Sequence, residues 1–479
     1  MSPLYYRLVA APPQETLGIG SLEDGIAIYI GMPLSGAVPS STCGWNRVAR
    51  GWAGSVSSLA TLRYAARAAR GSLFINAPVS NEVRRDFRLD LIGGLLFGTF
   101  NGSVISYLYV VGRTIGVSPF GISVLVAMPA VGAMLALPVS LAIRGAGGRR
   151  FMFVAWTLGR GLMFLTVLSS APWLYLIVAG IYQVSTSIAS PFYAAVMERI
   201  YPREFRGQLM SLVRIGSGTA TTLTSLLVAA LLGTFHMRFG IIFATATVLT
   251  LISLAIFSRV TSGEVKPRPR RSLRESFAIL RRNPPFAEYQ LAVFIMGFGN
   301  ILGATLYPLV VVDKLHGGYG AFGVLTVCTS LGYLLSFFSW GRVVDRKGPL
   351  FTMLMVGASA VGGPLVMLAA PGILWLIPAA LLAGITAAGF ELGVYSAVIH
   401  YAHDTPHEVP HYYAVHSYFS GLRGITAPFL ATGILAVTNY YFALGAAVLG
   451  TAAGTAMLWK REREQRRSAE PVRAMGVSI

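Results

Sequence analysis

The sequence predicts an all-α integral membrane protein, with twelve transmembrane helices arranged as two six-helix, pseudo-repeated bundles. Three observations lead there. The chain of 479 residues is 54% hydrophobic and only 12% charged, about half the charge of an average soluble domain. From residue 90 onward its apolar stretches are each about 20 residues long, enough to cross a bilayer. Its basic residues fall between those stretches, richly in every second connection. The formal net charge of +19 therefore reads as membrane topology and not as a nucleic-acid surface. Cys43 and Cys328 stand far apart without metal-ligand spacing, so neither a disulfide framework nor a zinc site is expected.

Residues 1–85 differ from the rest and are expected to form a disordered cytoplasmic tail. Ala11-Pro12-Pro13 and residues 35–44 are small, polar or helix-breaking. The run Ile26–Leu34 is too short to span and follows Glu23-Asp24, which makes it a poor secretory signal. Arg63, Arg67 and Arg70, interleaved with Leu59, Leu62 and Ala66, outline a weak amphipathic helix that fits an inner membrane surface.

The spans are expected at 90–111, 118–143, 151–170, 173–196, 208–232, 238–259, 288–312, 318–340, 350–370, 373–399, 412–437 and 440–459. Turn chemistry separates them at Ser118-Pro119, Ala171-Pro172, Gly317-Gly318 and Ala370-Pro371-Gly372. The resulting organisation is a first bundle at 86–259, a linker at 260–286, a second bundle at 287–460 and a basic tail at 461–479. Alternate connections carry Arg84/Arg85/Arg88, Arg144/Arg149/Arg150, Arg199/Arg203/Arg206, the linker arginines and Arg342/Arg346/Lys347. The opposite connections offer Arg113, Arg238 and Lys314. By the positive-inside rule both termini are cytoplasmic.

Internal similarity supports two halves. Gly98-Thr99-Phe100-Asn101 matches Gly297-Phe298-Gly299-Asn300 at an offset of 199, and Tyr193-Ala194-Ala195-Val196 matches Tyr395-Ser396-Ala397-Val398 at 202. Ser211-Leu212-Val213-Arg214 matches Ser420-Gly421-Leu422-Arg423 at 209. Three matches in order, with a slowly growing offset, describe a parallel repeat.

Between the eighth and ninth spans stands Gly341-Arg342-Val343-Val344-Asp345-Arg346-Lys347-Gly348-Pro349, too charged for hydrocarbon and suited to a turn at an anionic surface. The pattern G-x-x-x-D-R-x-G, carried by Gly341, Asp345, Arg346 and Gly348, resembles the signature loop of the major facilitator superfamily. The family's following basic pair is replaced by Pro349-Leu350, and the first-half copy is reduced to Arg144-Gly145-Ala146-Gly147-Gly148-Arg149-Arg150. The resemblance covers about residues 88–460 and implies two bundles around a central cavity lined by the first, fourth, seventh and tenth helices. It also implies that Asp345 latches the cytoplasmic side against the start of the fifth helix, at Arg203 or Arg206. The alternative for Asp345-Arg346 is a solvated turn.

Ionisable groups inside spans are costly and mark candidate sites. Glu391, flanked by Gly389 and Gly393, is placed by the resemblance in the cavity; it is either a proton-coupling carboxylate or a hydrogen-bonded structural acid. Arg214 and Arg423, near the cytoplasmic ends of their helices, neutralise an anionic solute, grip an inner gate or snorkel to the surface. Arg160, mid-span, has no acid in the first half's helix interiors and needs hydroxyl, amide or anion partners; a structural role is favoured. Asn101, Asn300 and Gln183 are expected to face a ligand or to bond helices together. Tyr107, Tyr182, Tyr193, Tyr307 and Tyr395 suit either an aromatic-lined cavity or interface anchors. His400, His403, His407, His411 and His416 crowd one connection, where Pro406 and Pro410 interrupt any single metal-binding face. A solvated loop is expected there.

The function these residues point to is a secondary active transporter of a small organic solute, proton-coupled and working by alternating access as a monomer in the cell membrane. Its expected partners are the solute, protons and the lipid bilayer, with no cofactor, metal or nucleic acid. Three in-span arginines against one glutamate lean towards an organic anion or zwitterion. The alternatives are a drug or metabolite efflux antiporter and a non-transporting, receptor-like member of the same fold. The Gly-Pro-rich antiporter motif of the family's drug exporters is absent from Gly216-Ser217-Gly218-Thr219-Ala220-Thr221, which argues against drug export. No phosphate-binding G-x-x-x-x-G-K-[ST] sequence is present for ATP-driven transport, and no nucleophile–base set or metal cage for an enzyme.

Overall fold

A computed structural model describes residues 79–143, 147–202, 205–260, 273–403, 405 and 408–474. The expectations for residues 1–78 of the tail at 1–85, for Arg144-Gly145-Ala146, for Arg203 and for His407 lie outside these residues; residues 81–85 of that tail instead begin a helix. Among the described residues every regular element is a helix. The first half consists of α1 (Asn81–Thr114), α2 (Pro119–Ala142), α3 (Gly147–Val167), α4 (Pro172–Ile188 with Ser190–Ile200), α5 (Arg206–Gly233) and α6 (Phe239–Phe257). A short linker helix, Leu273–Arg282, precedes α7 (Pro284–Lys314), α8 (319–347), α9 (349–369), α10 (Ile377–Tyr401), α11 (Val409–Val437) and α12 (Tyr440–Ala474). Among the described residues eleven helices are each long and apolar enough to cross a membrane, and the bent pair of α4, turning by 42°, makes the twelfth.

Local chemistry sets the boundaries. Ser80 caps α1 by accepting from the Val83 N–H, Ser118 caps α2 from Gly121, and Asn283 caps α7 from Phe286. Pro119, Pro172 and Pro284 occupy first-turn positions, where a missing N–H costs nothing. The bend in α4 falls just before Pro191, which has no N–H to continue the ladder.

Two expectations are corrected. The charged stretch 341–348 is not a loop: the helix continues through Lys347, and Gly348 alone breaks it, at φ 82° and ψ 169°. Arg and Lys are good helix formers when solvated, so only the residue able to adopt positive φ is needed for the turn. Along α10, Gly384 meets Thr329 and Tyr333, Gly389 meets Trp340 and Val356, and Gly393 meets Met353. Contacts rising in number along α8 and falling along α9 show that the chain reverses at Gly348. The second correction is the end of α12, which extends beyond the expected 459 to Ala474. Lys460–Glu464 and Arg466–Glu462 pairs, one turn apart, support a helix in water.

The buried apolar residues form an asymmetric pattern. At the ends of α1, α3, α5, α7, α9 and α11 one cluster runs through both halves, including Tyr107, Ile122, Leu232, Leu306, Leu309, Phe322 and Leu325. At the other ends, where the Arg-rich connections lie, each half keeps its own cluster. One contains Met152, Met197, Leu209 and Leu254, and the other Phe286, Met296, Met353 and Leu458. The two halves therefore share a core at one face and part towards the other. The parted side, where the basic connections lie, is termed the basic face, and the joined side the opposite face.

Candidate functional site

At the apex of the cleft between the halves, α5 contributes Arg214 and α10 contributes Glu391. Arg214 lies about 12 Å along α5 from its start at Arg206, and Glu391 about 15 Å from the end of α10 at Tyr401. The guanidinium Nη1 donates to Glu391 Oε1 at 2.7 Å, and the Tyr333 hydroxyl of α8 donates to Oε2 at 2.6 Å. Both charged side chains remain wetted, at 66% and 46% exposure. Helix α5 shows why this exposure is to the cleft. Ser211, Arg214, Gly218 and Thr222 form one strip of small or polar residues, with open space around Gly218. Leu212, Ile215, Leu223, Leu226 and Leu227 form a separate exposed apolar strip suited to lipid.

The arrangement can hold a negative charge on Glu391 between a cation and a hydroxyl, and can lose that hold when the carboxylate is protonated. It ties one half to the other through the single Arg214–Glu391 bond, while Tyr333 steadies the carboxylate from within the second half. With both charged partners exposed, the tie is reversible.

The opposite face carries a second link. Arg113, at the end of α1, donates through Nε to both carboxylate oxygens of Asp313 near the end of α7, at 2.8 and 2.9 Å. Its Nη1 donates to the Val117 carbonyl, and the Tyr440 hydroxyl of α12 donates to Asp313 Oδ2 at 3.1 Å. This pair is half-buried, at 23% and 22% exposure. Around it Gly323 packs on Ala229, Gly233 on Gly320, and Ser123 bonds the Pro428 carbonyl and the Thr432 hydroxyl. Close approach of α5 to α8 and of α2 to α11 thus seals this side.

The remaining singled-out residues occupy different surroundings. Arg423 is buried within the second half, donating to the Val293 carbonyl at 2.7 Å and lying over the Phe390 ring. Arg160 is buried within the first half, its guanidinium carbon 4.3 Å from the Phe97 ring centre and 4.7 Å from that of Trp156, with Nη1 3.3 Å from Thr250 Oγ1. Aromatic faces and a hydroxyl replace the missing acid. The count of three arginines against one glutamate consequently does not describe the cleft, where Arg214 stands paired. Gln183 is buried, donating to the Leu125 carbonyl and accepting from Tyr109, so it binds α4 to α2 and α1. Asn101 opens a π-helical turn, Asn101–Ile105, in α1. Its repeat mate Asn300 lines a cavity inside the second half.

Asp345, Arg346 and Lys347 are exposed, and among the described residues no ion pair reaches Asp345. Arg206 instead donates to the carbonyls of Glu198 and Tyr201. His416 is not in a loop: it is buried in α11, with Nδ1 3.2 Å from Gln290 Oε1 and Nε2 3.3 Å from Ser420 Oγ. Among the described residues no three His, Cys, Asp or Glu side chains gather as a metal site.

Sequence reasoning missed Tyr333, Asp313 and Tyr440. A tyrosine inside a span carries no signal of its own. Asp313 had one: Arg113 and Asp313 are 200 residues apart, nearly the offset of the Asn101/Asn300 match, so they end equivalent helices.

A family model described as Major Facilitator Superfamily matches the sequence twice, over residues 91–314 and 289–476. Among solved structures, the nucleoside transporter NupG aligns with a TM-score of 0.58 at 14% identity, covering 79% of this chain and 99% of its own. A mutant form of NupG aligns at 0.61 and 13%, covering 79% and 100%. A bacterial homologue of the human lysosomal transporter Spinster, inward-facing and unoccupied, aligns at 0.52 and 14%, covering 80% and 98%. At these identities the likeness is one of fold. No curated protein matches the chain by sequence.

Proposed function

The chain belongs to the major facilitator superfamily, and from that premise we propose that it is a proton-linked secondary transporter of a small organic solute. The observation that carries the reading is the bridge from Arg214 to Glu391 and Tyr333 at the apex of a cleft open to one face. The bundles at 86–259 and 287–460 rock about this apex, the linker at 260–286 joining them. The positive-inside rule assigns the basic, open face to the cytoplasm of a cell membrane.

Glu391 is the proton-responsive group. Ionised, it holds Arg214 and Tyr333 and ties α5 to α8 and α10. Protonation cancels the charge that Arg214 faces and turns the charge-assisted bond from Tyr333 into a weaker neutral one, which loosens the tie. Arg214 then turns to solute or water, and the halves are free to close the basic face and part at Arg113–Asp313. The proton leaves Glu391 on the other side, and Arg214 recaptures the carboxylate. An exposed ion pair contributes about 1 kcal/mol or less. That small bias suits a switch crossed in every cycle.

The test is the pH of lightly buffered, deenergised vesicles holding the purified protein, on addition of amino acids, sugars, organic acids, nucleosides and cationic dyes. A solute-dependent pH change absent from Glu391→Gln supports the reading, and its sign distinguishes symport from antiport. Solute accumulation that persists in Glu391→Gln overturns the proton role.

A further inference from the structure

A cavity of about 250 Å³ lies within the second half, between α7, α8, α9 and α10. It sits deeper than the Arg214–Glu391 bridge: Thr386 is about 7 Å along α10 from Glu391, and Thr329 one turn along α8 from Tyr333, both towards the opposite face. Asn300 and Tyr307, two turns apart on one side of α7, look into it. The Tyr307 hydroxyl is buried without a hydrogen-bond partner, an arrangement that folding alone disfavours. Ser359 and Thr386, also in the lining, bond each other at 2.9 Å. The remaining wall is small and apolar, with Ala304, Ala360, Pro364 and Met367. Among the described residues no Asp, Glu, Lys, Arg or His belongs to the lining.

We propose that this cavity is a solute subsite for a neutral, flat heteroaromatic ring of nucleobase size. Three exclusions define the class. An ionised group entering here would be desolvated with no counter-charge. A hexose, polar on both faces, would set hydroxyls against Ala360, Pro364 and Met367. A purely apolar ligand would leave the Tyr307 hydroxyl as unpaired as it is now. A ring with apolar faces and donors and acceptors along one edge satisfies every wall, since the Asn300 amide both donates and accepts and Tyr307 supplies one further hydroxyl. The volume lies below the range of drug-sized pockets, which limits the buried part to one small ring. That the ring is carried across the membrane rests on the transporter reading above; that it binds does not.

Calorimetric titration of the purified full-length protein with uracil, uridine, glucose and glycine tests the proposal. Uracil and uridine are expected to bind, and glucose and glycine are not. Tyr307→Phe should weaken binding about tenfold, the loss of one hydrogen bond. Because the hydroxyl has no partner in the fold, its thermal midpoint should be unchanged or higher. Ala383 of α10 also lines the cavity, and Ala383→Leu, which fills it, should abolish binding. Absence of uracil and uridine binding overturns the proposal, as does affinity that ignores Tyr307→Phe. Ring binding sensitive to Tyr307→Phe without any vesicle pH response keeps the subsite and removes the proton-linked reading. A vesicle response to another solute, unaffected by Tyr307→Phe, does the reverse.

Discussion

Arg214 and Glu391 stand 2.7 Å apart although α5 and α10 belong to different halves of the molecule. Each is the natural counter-charge of the other, and neither is buried deeply enough for the pair to be a fixed part of the core.

Neutralising the carboxylate should therefore change transport much more than folding. Glu391→Gln is expected to abolish accumulation against a gradient while leaving solute exchange, with the thermal midpoint within about 2 °C of the parent. The exchanged pair Arg214→Glu with Glu391→Arg should restore the tie between halves, measurable as a coupling free energy in a double-mutant cycle. Zero coupling would remove the bridge from the mechanism.

At the opposite face, Asp313→Asn or Arg113→Ala should release the seal. The half-buried, doubly bonded pair biases the halves by about 1–3 kcal/mol, the ordinary range of coupling between states. Spin labels at the ends of α1 and α7 should show a longer, broader distance distribution in either variant. An unchanged distribution would mean that apolar packing alone holds this side shut.

Gly348→Ala should destabilise the protein by about 1–3 kcal/mol, because φ 82° with ψ 169° is a conformation that residues with a Cβ avoid. Gly341→Ala, seven residues earlier in regular helix with open space around it, should be neutral or slightly stabilising. Thermal unfolding of the two variants side by side separates a backbone requirement from a requirement of the motif as a whole.

Replacing Arg423 by Met should leave stability within about 1 kcal/mol or raise it, since an apolar side chain of similar length avoids a buried charge. Transport should persist in Arg423→Met and fail in Arg214→Met. Equal failure of both would show that the two arginines share a role across the repeat.

Asp345→Asn should lower turnover with little change in solute affinity. The carboxylate is exposed in the present state and is expected to act only when the basic face closes. Unchanged turnover would reduce this part of the motif to a solvated helix end.

The spans and their division into halves were legible because a bilayer imposes one strong rule, about 20 apolar residues per crossing. Glu391 and Arg214 were legible for the same reason, as charges where hydrocarbon disfavours them. Their pairing was not, because 177 residues separate them and nothing local records how two bundles dock. Arg423 illustrates the limit of repeat arguments. It aligns with Arg214, yet the former faces the Val293 carbonyl inside one bundle and the latter faces the other bundle. The helical course of 341–347 was hidden by the glycines at its two ends, Gly341 and Gly348, of which Gly348 alone serves the turn.

The apolar cluster shared by both halves at one face makes the molecule a biased balance. Parting that seam would wet Tyr107, Leu306, Leu309, Phe322 and Leu325, all nearly fully buried, at about 25 cal/mol per Å² uncovered. The other rim, fronted by charged groups such as Arg206, Arg346 and Lys347, offers no comparable dry surface in exchange. A solute arriving from the basic side meets a site already formed. One arriving from the other side binds only the small fraction of molecules that have switched, and its apparent affinity falls by that fraction. The same pocket should thus present two dissociation constants to the two compartments, a rectification of affinity that arises from packing and requires no valve.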